Sequence, residues 1–367
     1  MAKTGIGRLL VRVKNEDVYN TFRLRRHFRL HNLSVAVATT SYCQNRCEYC
    51  FAKYHFPEGT GKMSKEVADK TVEFIRKLVG HNPFRLVHIN WYGGEPLLGL
   101  DVMQRIVLGI RHFHPYVVTK LDTNGWRLTH ENAEILKRDC NVYVVQLTLD
   151  GSEQYHDELR HRPGSFKKTI EALKVASKWF PDRTILRVNL TKLNVEEAKK
   201  IPECLEREGI DTSKLGVDIH PVDIFCDAPF KQYIFETREE FWDEARSVYL
   251  LFAQKGFKPR PTMLYGCHAT LKDGFSVFPN GEVWKCVLDS ESYLGNILEY
   301  EKIRLDDSSY CKSKILFEEC RNCSAFPVCR GGCLYARKLM GWFCHVDPIA
   351  LDELAYLVKK TYKTKRR

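Results

Sequence analysis

The sequence predicts an α/β fold: a partial (β/α)6 TIM-like barrel followed by a small cysteine-rich C-terminal domain with a β-hairpin. Between residues 33 and 222, six apolar runs alternate with helical patterns, which predicts parallel strands joined by right-handed crossovers. The runs are nearly continuous, as expected when helices cover both faces of a sheet. Six units are fewer than a closed eight-stranded barrel needs, so the barrel is expected to stay open.

The predicted strands come in regular order. They are expected at residues 33–40, 86–94, 117–125, 142–151, 184–192 and 215–222. Helices are expected at 64–80, 101–112, 129–138, 166–179, 194–208 and 237–256, and a last one in ALDELAYLVKKTY. Ser64 and Gly80 are placed to cap the first helix. Asn194 with Glu197 predicts a capping box for the helix at 194–208, which Pro202 is expected to bend or interrupt.

A change in composition marks the second domain. Cysteines become dense from Cys267 onward. FSVFPNGEVWKCV predicts a hairpin with Asn280 and Gly281 at its turn. The expected divisions are a basic preamble (1–32), the barrel core (33–222), a bridging region (223–266), the cysteine-rich domain (267–345), and a C-terminal helix with a basic tail (346–367).

Composition limits the cellular setting. The 367 residues are 44% hydrophobic, yet the N-terminus lacks a signal peptide and no run is apolar enough for a membrane span. A cytoplasmic location is therefore expected, where the 14 cysteines stay reduced. A clustered set of reduced cysteines favours metal binding over disulfides.

The formal charge of +11 concentrates in FRLRRHFRLH and in the tail KKTYKTKRR. Such runs attract polyanions, either nucleic acid or an acidic peptide. A solvated surface and a frayed tail are the alternative interpretation. Charge alone does not choose between these partners.

The stretch TTSYCQNRCEYCF carries Cys43, Cys47 and Cys50, separated by three and then two residues. Thiolates this close suit one inorganic centre, and an iron–sulfur cube normally takes four ligands. With three ligands, one iron is left open for a substrate or cofactor. The alternative is a zinc site completed by a distant ligand such as His55.

Polar motifs follow three of the other strands. WYGGEP, DTNG and TLDG fall at the carboxyl ends of the second, third and fourth strands. In barrels of this type the chemistry lies at those ends. These motifs are therefore expected to surround one cavity together with the cysteine loop.

The cysteine spacing and the order of the motifs over residues 33–222 resemble the radical S-adenosylmethionine (SAM) superfamily. Residues 267–345 resemble the SPASM domain of peptide and protein maturases. The second resemblance rests on Cys267, on Gly281 and Cys286, which are separated by four residues, and on five cysteines that follow them. These are Cys320, Cys323, Cys329, Cys333 and Cys344.

The resemblance implies that Cys43, Cys47 and Cys50 hold a [4Fe–4S] cluster whose open iron chelates SAM. It implies that Tyr49 lies near the adenine, although simple loop packing would also explain this aromatic residue. Gly93 and Gly94 would let the backbone approach the ligand. Glu95 would accept hydrogen bonds from the methionyl ammonium group.

The fourth-strand region resembles the part of SPASM maturases where a hydroxyl residue and a later arginine contact SAM. The corresponding residues are Thr148 and Arg160. The alternative for Arg160 is a surface ion pair with Asp157 or Glu158. Asp150 with Gly151 is interpreted as a turn, and Asn189 is expected within reach of the ribose.

The SPASM resemblance implies two auxiliary [4Fe–4S] clusters, three in total. Cys320, Cys323, Cys329 and Cys344 would hold auxiliary II. Cys267, Cys286 and Cys333 would hold auxiliary I, with the fourth position either open to a substrate thiolate or filled by Cys311. Zinc is the alternative for this domain. The isolated cysteines at 140, 204 and 226 are expected to be buried small residues.

These resemblances imply radical modification of a peptide: a thioether or carbon–carbon crosslink, or oxidation to formylglycine. Sulfatase maturases of the family have an aspartate base where this chain has Val287, which ranks crosslinking first and leaves the catalytic base unassigned. Expected partners are a peptide or protein substrate, an acidic leader, a flavodoxin or ferredoxin as electron donor, and a separate leader-binding protein. RNA modification and non-enzymatic electron transfer remain alternatives.

Overall fold

The structure is a computed structural model that describes residues 32–57, 60–80, 82, 85–222, 229–260, 267–305 and 332–340. Its ten strands form one sheet in the order β10-β9-β8-β1-β2-β3-β4-β5-β6-β7. They are β1 (Leu33–Ala38), β2 (Val87–Tyr92), β3 (Val117–Thr123), β4 (Val142–Thr148), β5 (Thr184–Leu190), β6 (Leu215–Pro221), β7 (Lys258–Pro259), β8 (Gly274–Val277), β9 (Glu282–Trp284) and β10 (Tyr293–Asn296). The pairs from β1 to β6 are all parallel, which confirms the predicted six-unit α/β core.

Helices follow the strands in the alternation that the sequence predicts. They are α1 (Ala52–His55), α2 (Lys65–Val79), α3 (Leu100–Arg111), α4 (His130–Arg138), α5 (Glu153–Leu159), α6 (Ser165–Trp179), α7 (Val195–Arg207), α8 (Arg238–Gln254) and α9 (Leu334–Met340). Ser64 accepts a hydrogen bond from the Val67 amide, and Gly80 ends α2 with a positive φ of 58°. Both predicted caps are therefore confirmed.

The main apolar core of the described residues lies between the sheet and the helices. Its largest fully buried side chains include Trp91 of β2 and Phe74 of α2. Alternate residues of the strands face this core, so the polar residues between them face the concave side of the sheet. Along β3, for example, Lys120 and Asp122 alternate with the buried Leu121.

The predicted hairpin is confirmed, and it also pairs with the barrel sheet, which the sequence did not indicate. β8 and β9 pair antiparallel, and Gly281 at the turn has a φ of 86°. β8 also pairs in parallel with β1, so the hairpin extends the barrel sheet past its first strand. The domain boundaries stay a prediction, but the sheet runs through three of the expected segments.

The predicted capping box at α7 is wrong. Asn194 makes no side-chain cap; its carboxamide instead donates to the carbonyls of Asp150 and Asn189. Glu197 accepts hydrogen bonds from the backbone and hydroxyl of Ser152. α7 continues through Pro202 without interruption, because Ile201, Pro202 and Leu205 are packed in the core.

Among the described residues, none of the helices combines the length and the apolar character that crossing a membrane requires.

Candidate functional site at the carboxyl ends of the strands

The cysteine loop is held from one side by the turn after β2. The amide of Gly94 donates to the Thr40 carbonyl at 2.9 Å, and the amide of Glu95 donates to the Tyr42 carbonyl at 2.8 Å. A Cβ on Gly94 would lie 2.2 Å from the Tyr42 oxygen, and one on Gly93 would lie 2.5 Å from the Thr40 oxygen. The glycines therefore admit the loop itself, while their approach to a ligand stays a prediction.

The same loop is held from the other side by the end of α5. The amide of Arg46 donates to the Arg160 carbonyl at 3.0 Å, and that of Glu48 donates to the Leu159 carbonyl at 3.2 Å. Asn45 also donates through its side chain to Ser165 at 3.4 Å. Contacts with residues over 100 positions away therefore fix this side of the loop.

The thiols lie in a setting that suits metal coordination. Cys43 Sγ accepts hydrogen bonds from the Asn45 amide at 3.4 Å and from Asn124 Nδ2 at 3.5 Å. Burial raises the pKa of Cys43 to about 12 and that of Cys47 to about 11. A coordinated metal removes these thiol protons outright, and the N–H groups directed at Cys43 favour the resulting thiolate.

Among the described residues, no three His, Cys, Asp or Glu side chains are grouped closely enough to chelate one metal ion. The three thiols of the loop are nevertheless close enough for Cys47 and Cys50 to raise the pKa of Cys43. A cluster distributes its cysteines over separate iron atoms. The donor set therefore fits an iron–sulfur cluster, and the His55-completed zinc site gains no support.

Glu95 lies beneath the loop and is 0% exposed. Its Oε1 accepts from Thr123 Oγ1 at 2.6 Å and from the Leu97 amide at 3.1 Å, and its Oε2 accepts from the Asn124 amide at 2.9 Å. Burial raises the pKa of Glu95, while these three donors act in the opposite direction. A carboxylate offers about four acceptor positions, so one on Oε2 remains for a further donor.

Tyr49 is the centre of a buried polar network. Its hydroxyl donates to Asp150 Oδ2 at 2.6 Å and accepts from Arg160 Nη2 and Asn189 Nδ2, both at 3.1 Å. Arg160, 3% exposed, also donates to Asp150 through Nε and Nη2. The alternative of a surface ion pair with Asp157 or Glu158 is thus wrong.

The interpretation of Asp150 as turn chemistry needs correction as well. Its carboxylate is 0% exposed and binds the Tyr49 and Arg160 side chains, and it also accepts from the Asn189 amide. Asp150 therefore joins the cysteine loop to β5. Thr148 is half-buried at the end of β4, two residues before Asp150, so it lies at the same edge of the sheet.

Three cysteines of the predicted auxiliary centre are described, and each has a backbone amide directed at its sulfur. Cys286 accepts from the Leu288 amide at 3.4 Å and Cys333 from the Ala336 amide at 3.4 Å. Backbone hydrogen bonds lower the pKa of Cys267 against the larger effect of burial, which raises it. This pattern repeats the environment of Cys43 and suits cluster ligands.

Neighbouring contacts bring the segments of these cysteines together. Lys285 Nζ donates to the Leu271 carbonyl at 2.7 Å, which joins the turn after Cys267 to β9. Lys338 of α9 lies 3.5 Å from Asp289, which joins the helix after Cys333 to the loop after Cys286. The other predicted ligands, namely Cys320, Cys323, Cys329 and Cys344, and the alternative Cys311, lie outside the described residues.

Sequence reasoning missed the residues that support the site rather than face a ligand. Thr123 and Asn124 belong to the DTNG motif, which marked the correct strand end without indicating a bond to Glu95. His156 and Ser165 carried no signal, because their hydrogen bond joins two separate helices. Cys140 and Cys204 are buried as predicted, and Cys226 lies outside the described residues.

Residues 37–205 match the radical SAM superfamily. The chain is 24% identical over 332 residues to a cysteine-type anaerobic sulfatase-maturating enzyme of Clostridium novyi, spanning 80% of this chain and 85% of that protein. It is 26% identical over 280 residues to the mycofactocin maturase MftC of Mycolicibacterium smegmatis, spanning 70% of this chain and 68% of that one.

Two solved structures share the fold. The structure of native anSMEcpe with bound AdoMet has a TM-score of 0.66 at 18% identity, covering 90% of this chain and 100% of that chain. Streptococcus suis SuiB bound to S-adenosylmethionine has a TM-score of 0.58 at 17% identity, covering 84% and 74%. The partial-barrel architecture predicted from the sequence is confirmed by these similarities.

Proposed function

We propose that this chain is a radical SAM enzyme, a maturase of ribosomally made peptides that forms a thioether or carbon–carbon crosslink, because residues 37–205 match the radical SAM superfamily. One observation carries the proposal. The loop with Cys43, Cys47 and Cys50 is fixed from both sides at the carboxyl ends of parallel strands, with an acceptor position of Glu95 still available. A [4Fe–4S] cluster held by these three cysteines would supply the electron for reductive cleavage of SAM into methionine and a 5′-deoxyadenosyl radical.

The chain's own residues would bind and orient SAM. Glu95 would accept a hydrogen bond from the methionyl ammonium group at its remaining Oε2 position. Arg160 would meet the carboxylate through Nη1, since Nε and Nη2 are occupied by Asp150 and Tyr49. Thr148 would contact SAM from the end of β4. Tyr49 would border the adenine through its ring, while its hydroxyl holds the loop in place.

We further propose two auxiliary [4Fe–4S] clusters, assigned to the cysteines as above. Reconstituted protein should then hold about twelve irons per chain, which iron analysis measures. About eight or fewer would mean that one cysteine framework has been misassigned.

The environment of Val287 supports crosslinking over formylglycine formation. Val287 packs against the apolar cluster of Ala36, Ala38 and Tyr92. An apolar side chain cannot accept a proton, so this position lacks the base that the sulfatase maturases would place there. The substrate would be a peptide, and mass spectrometry after anaerobic turnover should show the loss of a pair of hydrogen atoms.

Sulfatase maturation is the second candidate, favoured by the similarity to the Clostridium enzyme over 80% of this chain. Incubation with a peptide carrying a sulfatase-type cysteine distinguishes the two. Exchange of the cysteine sulfur for an aldehyde oxygen would establish formylglycine formation and would contradict the crosslinking proposal.

The proposed partners follow from the charge and from the chemistry. SAM cleavage needs an electron, which a flavodoxin or ferredoxin would supply in the cytoplasm. The basic residues Arg23, Arg25, Arg26 and Arg29 would attract an acidic leader, alone or with a separate leader-binding protein. Tight, salt-sensitive binding of unmodified tRNA would instead favour RNA modification.

The direct test uses the full chain, reconstituted anaerobically with iron and sulfide and reduced with dithionite. We expect 5′-deoxyadenosine to form from SAM, and we expect Cys43→Ala to abolish it. Cys140→Ala, which alters a buried thiol outside the site, is the matched control and should retain cleavage. If SAM survives incubation with the wild-type protein, the proposed function is wrong.

A further inference from the structure

Tyr92 is a buried tyrosine whose hydroxyl has no partner among the described residues. It is the last residue of β2, and its side chain is 8% exposed. The hydroxyl oxygen is buried and makes no hydrogen bond there. Leaving such a group unsatisfied costs about 1–3 kcal/mol, so the hydroxyl calls for a partner that the described residues around it do not supply.

The surroundings of Tyr92 are apolar. Its ring lies 6.3 Å from those of Phe56 and Phe278, and it packs with Ala36, Ala38 and Val287. None of these side chains carries a hydrogen-bonding atom. The hydroxyl is therefore a single polar group inside an apolar wall, and a partner must come from outside this set.

Cys286 is an ionisable residue whose charge acts on the Tyr92 hydroxyl. Burial raises the pKa of Tyr92 most, and a negative charge on the Cys286 thiol raises it further. Cys286 directly precedes Val287, which packs in the same apolar cluster as Tyr92. Tyr92 and the segment that carries Cys286 therefore meet in one apolar cluster.

The position of Tyr92 is rigid. Its backbone pairs with Ala38 at the end of β1, and the next residues are bound to the cysteine loop through Gly94 and Glu95. Tyr92 therefore stands between the loop of the first cluster and the hairpin that carries Cys286.

We propose that the Tyr92 hydroxyl donates a hydrogen bond to a sulfur atom of the cluster that Cys286 helps to hold. The inference rests on the auxiliary-cluster part of the proposed function. Hydrogen bonds to the sulfurs of an iron–sulfur cluster help to set its reduction potential. Such a bond stabilises the more negative reduced state, so Tyr92 makes this auxiliary cluster easier to reduce.

The test isolates the auxiliary clusters. In full-length protein with Cys43, Cys47 and Cys50 all changed to Ala, the remaining clusters are titrated with a redox mediator set and followed by electron paramagnetic resonance. Adding Cys286→Ala identifies the signal that belongs to the Cys286 cluster. Adding Tyr92→Phe instead should move the midpoint potential of that signal to a more negative value and leave any other signal unchanged.

Tyr293→Phe is the matched control, because Tyr293 lies on the edge strand β10 and is 40% exposed. It removes a phenolic hydroxyl and should leave the midpoint potentials of all the auxiliary-cluster signals unchanged. A second measurement records the coupling of an exchangeable proton to the reduced cluster in deuterated and ordinary water. Tyr92→Phe should abolish that coupling.

An unchanged potential and an unchanged proton coupling in Tyr92→Phe would overturn the inference. The inference would also fail if Cys286→Ala removed no signal, because the Cys286 cluster would then be absent. An unchanged potential with the Cys286-dependent signal present overturns this inference alone, whereas a missing signal also overturns the auxiliary-cluster part of the proposed function; SAM cleavage by the wild-type chain tests the rest separately.

Discussion

Arg160 and Asp150 form an ion pair of 2.9 Å between Nη2 and Oδ2, and their side chains are 4% and 0% exposed. The pair lies against Tyr49 of the cysteine loop, which bonds to both partners. A charge pair this deeply buried depends on both members. Loss of either leaves an uncompensated charge next to the loop.

Asp150→Asn should therefore destabilise the protein by about 3–5 kcal/mol, the usual cost of breaking a buried pair. Denaturant titration of the apoprotein measures this. Arg138→Gln is the control, since it breaks exposed contacts with Glu134 and Asp139 and should change stability little. Equal effects of the two substitutions would contradict the buried network.

Glu95→Gln should weaken SAM binding. The carboxamide keeps one oxygen, but its NH2 group replaces Oε2, where the Asn124 amide donates and the SAM ammonium is expected. Losing a hydrogen bond to a charged group costs about 1.5–3 kcal/mol, or about 10- to 150-fold in affinity. Equilibrium binding of SAM to the reconstituted protein measures this loss.

Thr123→Val is the matched comparison for Glu95→Gln. It removes one donor to Oε1 and leaves the charge in place, so its effect on SAM affinity should be smaller. Wild-type affinity in Glu95→Gln would remove Glu95 from the binding site.

Gly94→Ala should disrupt the cysteine loop. The added Cβ would collide with the backbone oxygens of Tyr42 and Ser41, and the loop would have to shift. We expect reconstituted protein to lose about four irons per chain, the content of one cube.

Gly164→Ala controls for backbone strain in the iron measurement. Gly164 has a φ of +81° but no atom within 4 Å of an added Cβ. It should lower stability without lowering the iron content. A full iron complement in Gly94→Ala would show that the loop tolerates the displacement.

Stability should fall as the pH drops below about 6.5, the ordinary value for an unfolded histidine. His156 is buried and accepts the Asp150 amide at Nδ1, and burial holds its pKa well below that value. The unfolded chain then takes up a proton that the folded state excludes. His156→Asn should flatten the dependence of unfolding free energy on pH between about 7 and 5.

His161→Asn is the control for the titration of His156. His161 lies at the surface, so its replacement should leave the contribution of the buried His156 to the slope in place. A slope that is the same in His156→Asn and wild type would mean that other groups account for the acid sensitivity.

The strand–helix core was predictable because its periodicity is local. Helix caps such as Ser64 and Gly80 depend on neighbours within a few positions, and the structure confirms both. The cysteine ligands were predictable as candidates because their spacing is short. The roles of these cysteines remain predictions. The motifs WYGGEP, DTNG and TLDG correctly indicated the edge of the sheet at which the site lies.

The supporting network was not predictable because its partners are far apart in the chain. Tyr49 and Asp150 are separated by 101 positions, and nothing near Asp150 distinguishes its sequence from an ordinary turn. The same holds for the pairing of β8 with β1, which joins Ser34 to Gly274. The failed capping box at Asn194 has a related cause, because its carboxamide is used by Asp150 and Asn189 instead.

The place of β1 between β2 and β8 has a consequence for biosynthesis. Ser34 emerges from the ribosome 240 residues before its β8 partner Gly274, an interval of roughly 12 to 48 s at typical translation rates. During that time the edge of β1 is open, and an open apolar edge invites aggregation. The edge of β1 is therefore covered by β8 only after most of the chain has been synthesised.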